Sequence, residues 1–143
     1  MAISNNICDV FKEKLLNGNH LTGNTYKIAL YNLSATLSNA TPTYNNVGEI
    51  VDANYTAGGV TLTGFNVGRT NNVAWLTFNN ATWPNASPTF VAGGCLIYNS
   101  SIGTNGTIAC FNFGGNVAGG GGNFTVNMPV ADAANALIRL TGT

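Results

Sequence analysis

The sequence predicts a mainly β chain: a single antiparallel β-sandwich of about eight strands with one N-terminal α-helix. Three observations carry this. Short runs rich in Val, Ile, Thr and aromatic residues recur along the chain, among them Thr25–Tyr31, Val91–Tyr98 and Thr107–Phe113. Asn-, Ser-, Gly- and Pro-rich turns separate the runs, which is the chemistry of strands joined by tight connections. Only the first sixteen residues place apolar side chains at three- and four-residue spacing. Strands this short and evenly spaced suit a jelly-roll-like sandwich. With 143 residues and no internal repeat or linker, residues 1–143 form one domain.

The helix is expected over residues 3–16. Ile3, Ile7, Val10, Phe11 and Leu15 make its apolar stripe, Ser4 or Asn5 its cap, and Asn17-Gly18 its stop. Asp9, Lys12, Glu13 and Lys14 fall mostly on the other side. A helix with one apolar face packs on its own sheet or on a neighbouring subunit, and two-layer domains favour its own sheet.

His20 follows in the polar loop GNHLTGNT, without a partner motif, and reads as solvent-facing or hydrogen-bonded to backbone. In the next strand Tyr26, Ile28 and Leu30 share one side.

Residues 34–59 are polar, contain Pro42 and show little periodicity, with Glu49–Val51 as a short edge strand inside them. A connection this long in a compact domain tends to be functional, so it is the first candidate contact surface, with Tyr44 and Tyr55 as its aromatic residues. Gly58-Gly59 turns the chain into the strand Gly59–Thr63, and Val73–Phe78 follows as another. Pro84 and Pro88 forbid a central strand beyond Trp83. Trp83 itself reads as a core plug in preference to an exposed contact residue, though it stays on the candidate contact list.

The stretch Phe90–Leu140 is the centre of the reading. Pairing Tyr98 with Thr107 sets Ile97 against Ile108, Leu96 against Ala109 and Cys95 against Cys110. Gly94 then faces Phe111, whose ring would cover the bare backbone. Gly119–Gly122 reads as a flexible turn, because no Lys is near and a strand, Phe124–Met128, follows instead of a helix. Pro129 ends that strand, VADAANA makes one turn capped by Asp132, and Ala136–Leu140 closes the sheet with Arg139 outward or paired to Asp132.

The chemistry of catalysis is missing from the pattern. There is no G-x-S-x-G elbow, the single histidine lacks a partner, and the five carboxylates (Asp9, Glu13, Glu49, Asp52, Asp132) are scattered. Glu49 and Asp52 are neighbours on a loop, where simple solvation is the expected state. The sequence therefore points away from an enzyme and offers no catalytic, cofactor or metal residues. Cys8, Cys95 and Cys110 lack C-x-x-C spacing and read as small buried hydrophobes, with Cys95 and Cys110 close enough across the hairpin to oxidise late.

Only 7% of residues are charged and the net charge is zero. Nucleic-acid binding, which needs clustered Lys and Arg, is excluded on that ground. No signal peptide or membrane-length apolar run is visible, so synthesis and folding in a cytoplasm are expected.

The opening MAI-x-N-x-I-C-x-x-F-K-x-x-L-L-x-G-x-H and the strand YKIALY resemble a group of small tailed-bacteriophage virion proteins. YTAGG-V-T-L, the ATW segment, GGCLIYNSS, NFTVNMP and the A-LIRL ending are similar to that group too, so the resemblance runs from Met1 to Leu140. It implies a structural component of the phage particle, made in the host cytoplasm: a capsid decoration (cement) protein, trimeric, bound to the major capsid protein or another virion protein. The pattern contains no catalytic residues to carry over. The alternative reading is a tail- or fibre-associated module in which Tyr44, Tyr55 and Trp83 stack on a host-surface glycan.

Overall fold

The central strands are apolar without alternation, and the fold explains why. A computed structural model of the chain describes residues 2–84, 90–119 and 122–142. It contains the strands β1 (Asn6–Ile7), β2 (Tyr26–Tyr31), β3 (Val60–Thr61), β4 (Asn66–Thr70) and β5 (Val73–Thr77). These are followed by β6 (Ala81–Trp83), β7 (Val91–Asn99), β8 (Thr107–Ala118), β9 (Phe124–Val126) and β10 (Ile138–Thr141), and the helix α1 spans Asp9–Leu16. The mainly β, antiparallel architecture with one helix is as expected, with ten strands where about eight were read. A five-stranded sheet, in the order β1-β8-β7-β2-β3, forms the main layer. The second layer is split between a three-stranded sheet, β10-β5-β4, and a two-stranded one, β6-β9, giving a sandwich-like arrangement.

On β7, Ala92 through Asn99 are all buried, because both faces of the main sheet are covered. One face carries Tyr26, Ile28, Leu30, Cys95 and Ile97 against Leu76, Trp83, Phe124 and Ile138 of the second layer and Phe11 of α1. The other face carries Ala29, Tyr31, Leu96, Tyr98 and Cys110 and is roofed by Ile3, Ala35 and Leu37. The long loop after β2 is therefore part of the core. It is tied along its length: Asn32 N–H donates to Gly48 O, Ile50 N–H to Leu30 O and Tyr44 N–H to Asn105 O. Val47 and Val51 remain exposed on it.

The helix begins at Asp9, not Ile3. Residues 3–7 are extended, with Asn6 paired to Cys110, Ile7 to Ala109 and Ile3 bridged to Leu37. Ser4 and Asn5 do not cap anything helical: Ser4 N–H and Oγ both reach Leu37 O, and Asn5 Oδ1 accepts the Asn112 N–H. Ile3 and Ile7 end on opposite faces of the sheet, so their four-residue spacing was coincidental. The helix proper packs Phe11 on its own core and stops at Asn17-Gly18 as read, with Gly18 at φ +72°.

Tyr98 does pair with Thr107, but the hairpin register then slips. A bulge sets Ile97 against Ala109, Leu96 against Cys110, Cys95 against Phe111 and Gly94 against Asn112. One extra residue, Ile108, reverses the facing of the pairs from Ile97 to Gly94 relative to the simple register, and a second irregularity between Gly94 and Ala92 follows. Gly94 is covered by Ile3, whose Cδ1 lies 2.7 Å from where a Cβ would stand, and not by the Phe111 ring.

Gly58 and Gly59 turn the loop back into the sheet beside β2, as expected from their pairing in sequence. Gly59 has φ +77°, and a Cβ there would stand 1.8 Å from Ile28 O; Gly18, at a similar φ, has nothing within 4 Å. Gly18→Ala should therefore cost only the left-handed penalty, about 1 kcal/mol. Gly59→Ala should cost several times more or abolish soluble expression. Urea denaturation midpoints of the two variants check this, and equal midpoints would show that the chain does not pass so close to β2.

Candidate functional site

The three residues singled out as contact candidates lie inward. Tyr55 is 7% exposed and Trp83 2%, both in the core that joins the two layers. Trp83 meets Phe124 edge-on at 5.9 Å and stacks with Tyr55 at 6.5 Å, where apolar burial outweighs any exposed role. Tyr44 is half-buried, stacked on Tyr98 at 4.7 Å. None of the three offers an open ring face as a surface platform.

What gathers Tyr44 and Tyr55 is Glu49, which is 5% exposed instead of solvated. Tyr44 Oη donates to Glu49 Oε2 at 2.6 Å, and Tyr55 Oη and the Gly58 N–H donate to Oε1 at 2.7 Å each. Tyr55 Oη accepts the Leu30 N–H in turn, and Tyr98 Oη donates to Gly58 O. Burial, with the carboxylate adding to it, pushes the Tyr44 and Tyr55 phenols upward, so both stay protonated donors. A buried carboxylate with three donors is a satisfied lock on the long loop, and no second acid or base among the described residues is hydrogen-bonded to it beyond the Tyr44 and Tyr55 phenols. Asp52 stays at the loop surface, its Oδ1 accepting the Asn54 N–H.

The cysteines are all buried and reduced, and Cys95 and Cys110 face opposite sides of the main sheet. The bulge sets Cys95 against Phe111, so the two thiols are not the cross-strand pair of the simple register. Cys110 instead shares a hydrogen bond with Cys8, which holds its thiol down, to about 7, while Cys8 keeps its proton and is pushed up. No group of three metal-ligating side chains comes together among the described residues. Nor is any helix among them long and apolar enough to cross a membrane.

His20 also departs from expectation: it is 9% exposed, set between Phe11 at 4.8 Å and Tyr26 at 6.4 Å. The Ser101 N–H donates to Asn99 Oδ1 at 2.9 Å, which turns the Asn99 amide NH2 toward His20 Nδ1 at 3.2 Å. Nδ1 is thereby the acceptor and Nε2 carries the proton. Desolvation lowers the His20 pKa and keeps the ring neutral.

His20 lines an open apolar cleft of about 360 Å³ between α1 and the three-stranded sheet. The sheet wall follows from register. Ala74 and Leu76 of β5 point the same way, with Val67 and Ile138 beside Leu76 and with Leu140 beside Ala74. Phe11 and Leu15 of α1 form the facing wall. Trp75 turns to the opposite face of the sheet, its indole over Gly68. Leu21, Val67 and Leu140 are exposed at the rim, while no Lys, Arg, Asp or Glu lines the cleft. β4 and β10, the two edges of that sheet, flank it. A second apolar cleft of about 370 Å³ lies beneath Phe111, Phe113, Phe124 and Met128. Neither cleft is legible in the sequence, because each is walled by residues more than 100 positions apart, Ile28 and Leu137 in one and Phe11 and Leu140 in the other.

Removing the Glu49 carboxylate leaves Tyr44, Tyr55 and Gly58 with unsatisfied donors, so Glu49→Ala should destabilise the chain by about 3 kcal/mol. Asp52→Ala, at the surface, should cost under about 1 kcal/mol. Chemical denaturation distinguishes the two, and comparable losses would deny Glu49 its role as the lock. No protein-family model, curated protein or solved structure matches the chain.

Proposed function

We propose that this chain is a structural component of a bacteriophage particle, a capsid decoration protein that braces the head shell through protein–protein contacts. The observation that carries the reading is the uncharged apolar cleft with exposed leucine and valine at its rim, flanked by two sheet edges without partners among the described residues. A contact protein needs such a surface, and an isolated one has reason to avoid it. The distribution of charge supports the same reading. Of five cationic and five acidic side chains, Lys12 pairs with Asp9 and Lys14 with Glu13 along α1, and Glu49 is buried. Little charge remains to keep copies apart or to attract a nucleic acid. The resemblance of Met1–Leu140 to small virion proteins supports a phage particle as the setting, and in this proposal the major capsid protein or another virion protein is the partner and a trimer the assembly unit. It acts by binding and not by turnover.

The glycan-binding alternative draws nothing from the geometry, since Tyr55 and Trp83 are committed to the core and Tyr44 to Tyr98.

Quantitative gel densitometry of purified particles is the test, with hundreds of copies expected for a shell protein arrayed on a symmetric lattice. Binding to empty shells should also change by less than roughly twofold between 0.1 and 0.5 M NaCl, because screening acts on exposed charges. A handful of copies per particle, or release at moderate salt, overturns the proposal.

A further inference from the structure

The pairing of β1 with β8 brings together two thiols that are far apart in sequence. Asn6 stands opposite Cys110 and Ile7 opposite Ala109, and the Cys8 N–H continues the ladder by donating to Ile108 O at 2.8 Å. Side chains alternate along a strand, so Cys8, two residues on from Asn6, faces the same side as Cys110. Both side chains are fully buried. The Cys110 thiol donates to Ser4 O at 3.2 Å, and Ser38 O of the long loop lies 3.8 Å from the Cys8 sulfur. The hydrogen bond from Cys8 holds the Cys110 thiol down to about 7, so much of it is thiolate at neutral pH. Cys8 occupies the N-cap position of α1 yet makes no capping hydrogen bond, so capping does not account for a sulfur there.

We propose that Cys8 and Cys110 close into a reversible disulfide when the chain meets peroxide, stapling the N-terminal strand to β8. This modification is independent of the reading of the chain as a virion protein. Hydrogen peroxide is the oxidant, and the steps balance. The Cys110 thiolate attacks one peroxide oxygen; the O–O bond breaks, an S–O bond forms, and the departing hydroxide recovers the thiol proton as water. The Cys8 sulfur then attacks the sulfur of the Cys110 sulfenic acid. The S–S bond forms, the S–O bond breaks, and the displaced hydroxide carries off the Cys8 proton as a second water. Two thiols and one peroxide become one disulfide and two waters. Burial restricts the oxidant to one near the size of water, and β1, a two-residue strand at the sheet edge, is the element whose opening admits it. Diagonal neighbours in an antiparallel ladder stand about 7–8 Å apart at Cα, just beyond the span of a relaxed disulfide. Closing the bond therefore draws the end of β1 toward β8 and stores strain, which keeps the bond within reach of a dithiol reductant.

The test uses the full chain, treated with a small excess of hydrogen peroxide, alkylated with iodoacetamide in denaturant without reduction, and mapped by mass spectrometry. Chymotrypsin separates Cys95 from Cys110 by cutting after Leu96 or Tyr98. The expected product is a pair of peptides joined through Cys8 and Cys110, lighter than its reduced parts by two hydrogens, with Cys95 alkylated. The oxidised chain, in which the bond closes a loop of about 100 residues, should melt roughly 5–10 °C above the reduced one and return to it after dithiothreitol. Cys95→Ala should crosslink as the parent does, whereas Cys8→Ser should leave Cys110 as a sulfenic acid that dimedone labels. Three thiols left free by peroxide, a crosslink through Cys95, or a disulfide between two chains overturns the proposal, and these readouts need no variant to fold. An internal Cys8–Cys110 bond without a rise in melting temperature overturns the stapling of β1.

Discussion

The burial of β7 on both faces is the constraint from which the rest of the structure follows. A strand with solvent on one side can alternate polar and apolar residues; one enclosed on both sides cannot. Ala92 to Asn99 are buried throughout, and each face needs its own cover. One cover is ordinary, the second sheet layer with α1. The other is made from extended chain, residues near Ile3 and the loop carrying Ala35 and Leu37, which has little regular hydrogen bonding of its own. Irregular chain over a core is stable only if its polar groups are satisfied, and here the Glu49 carboxylate does much of that work from the centre of the loop.

Much of the fold was legible because local signals and the final packing agree. The runs around Tyr26–Tyr31, Val91–Tyr98 and Thr107–Phe113 became β2, β7 and β8, and Gly58-Gly59 and Asn17-Gly18 ended elements where glycine chemistry said they should. The misreadings share a physical cause. Ile3 and Ile7 fit a helical stripe, yet strand pairing with β8 and the Leu37 bridge outweighed a weak local preference. The bulge at Ile108 leaves no mark in composition, and a shift of one residue was enough to reverse the facing of Cys110. The β4–β5 hairpin was missed because Asn66–Thr70 carries a single aliphatic residue, although Asn71, at φ +55°, stands where a two-residue turn needs a residue that tolerates left-handed backbone.

The candidate site was far less legible than the fold, and for a different reason. Tyr44, Tyr55 and Glu49 are close in sequence, but whether a tyrosine on a loop faces water or a buried carboxylate depends on where the loop lies, which only the covered sheet decides. His20 shows the same dependence more sharply. Its orientation is set by Asn99 and Ser101, about eighty residues away, and no spacing rule connects them.

These features bear on function through what the chain does with its few strong polar groups. Glu49 is saturated by donors, the α1 charges are paired with each other, and the phenols of Tyr26, Tyr31 and Tyr98 each donate to a backbone carbonyl. Charges paired or buried in this way contribute little to long-range attraction. In the contact proposed for this chain, recognition would fall to apolar area and to single hydrogen bonds, which are short-ranged and insensitive to salt. Such forces give slow selection in dilute solution but strong retention once many copies sit on a repeating surface, since each contact adds without mutual repulsion. The physical character of the surface and the arrayed setting proposed for it are therefore two sides of one requirement: a weak uncharged contact becomes durable only when it is repeated.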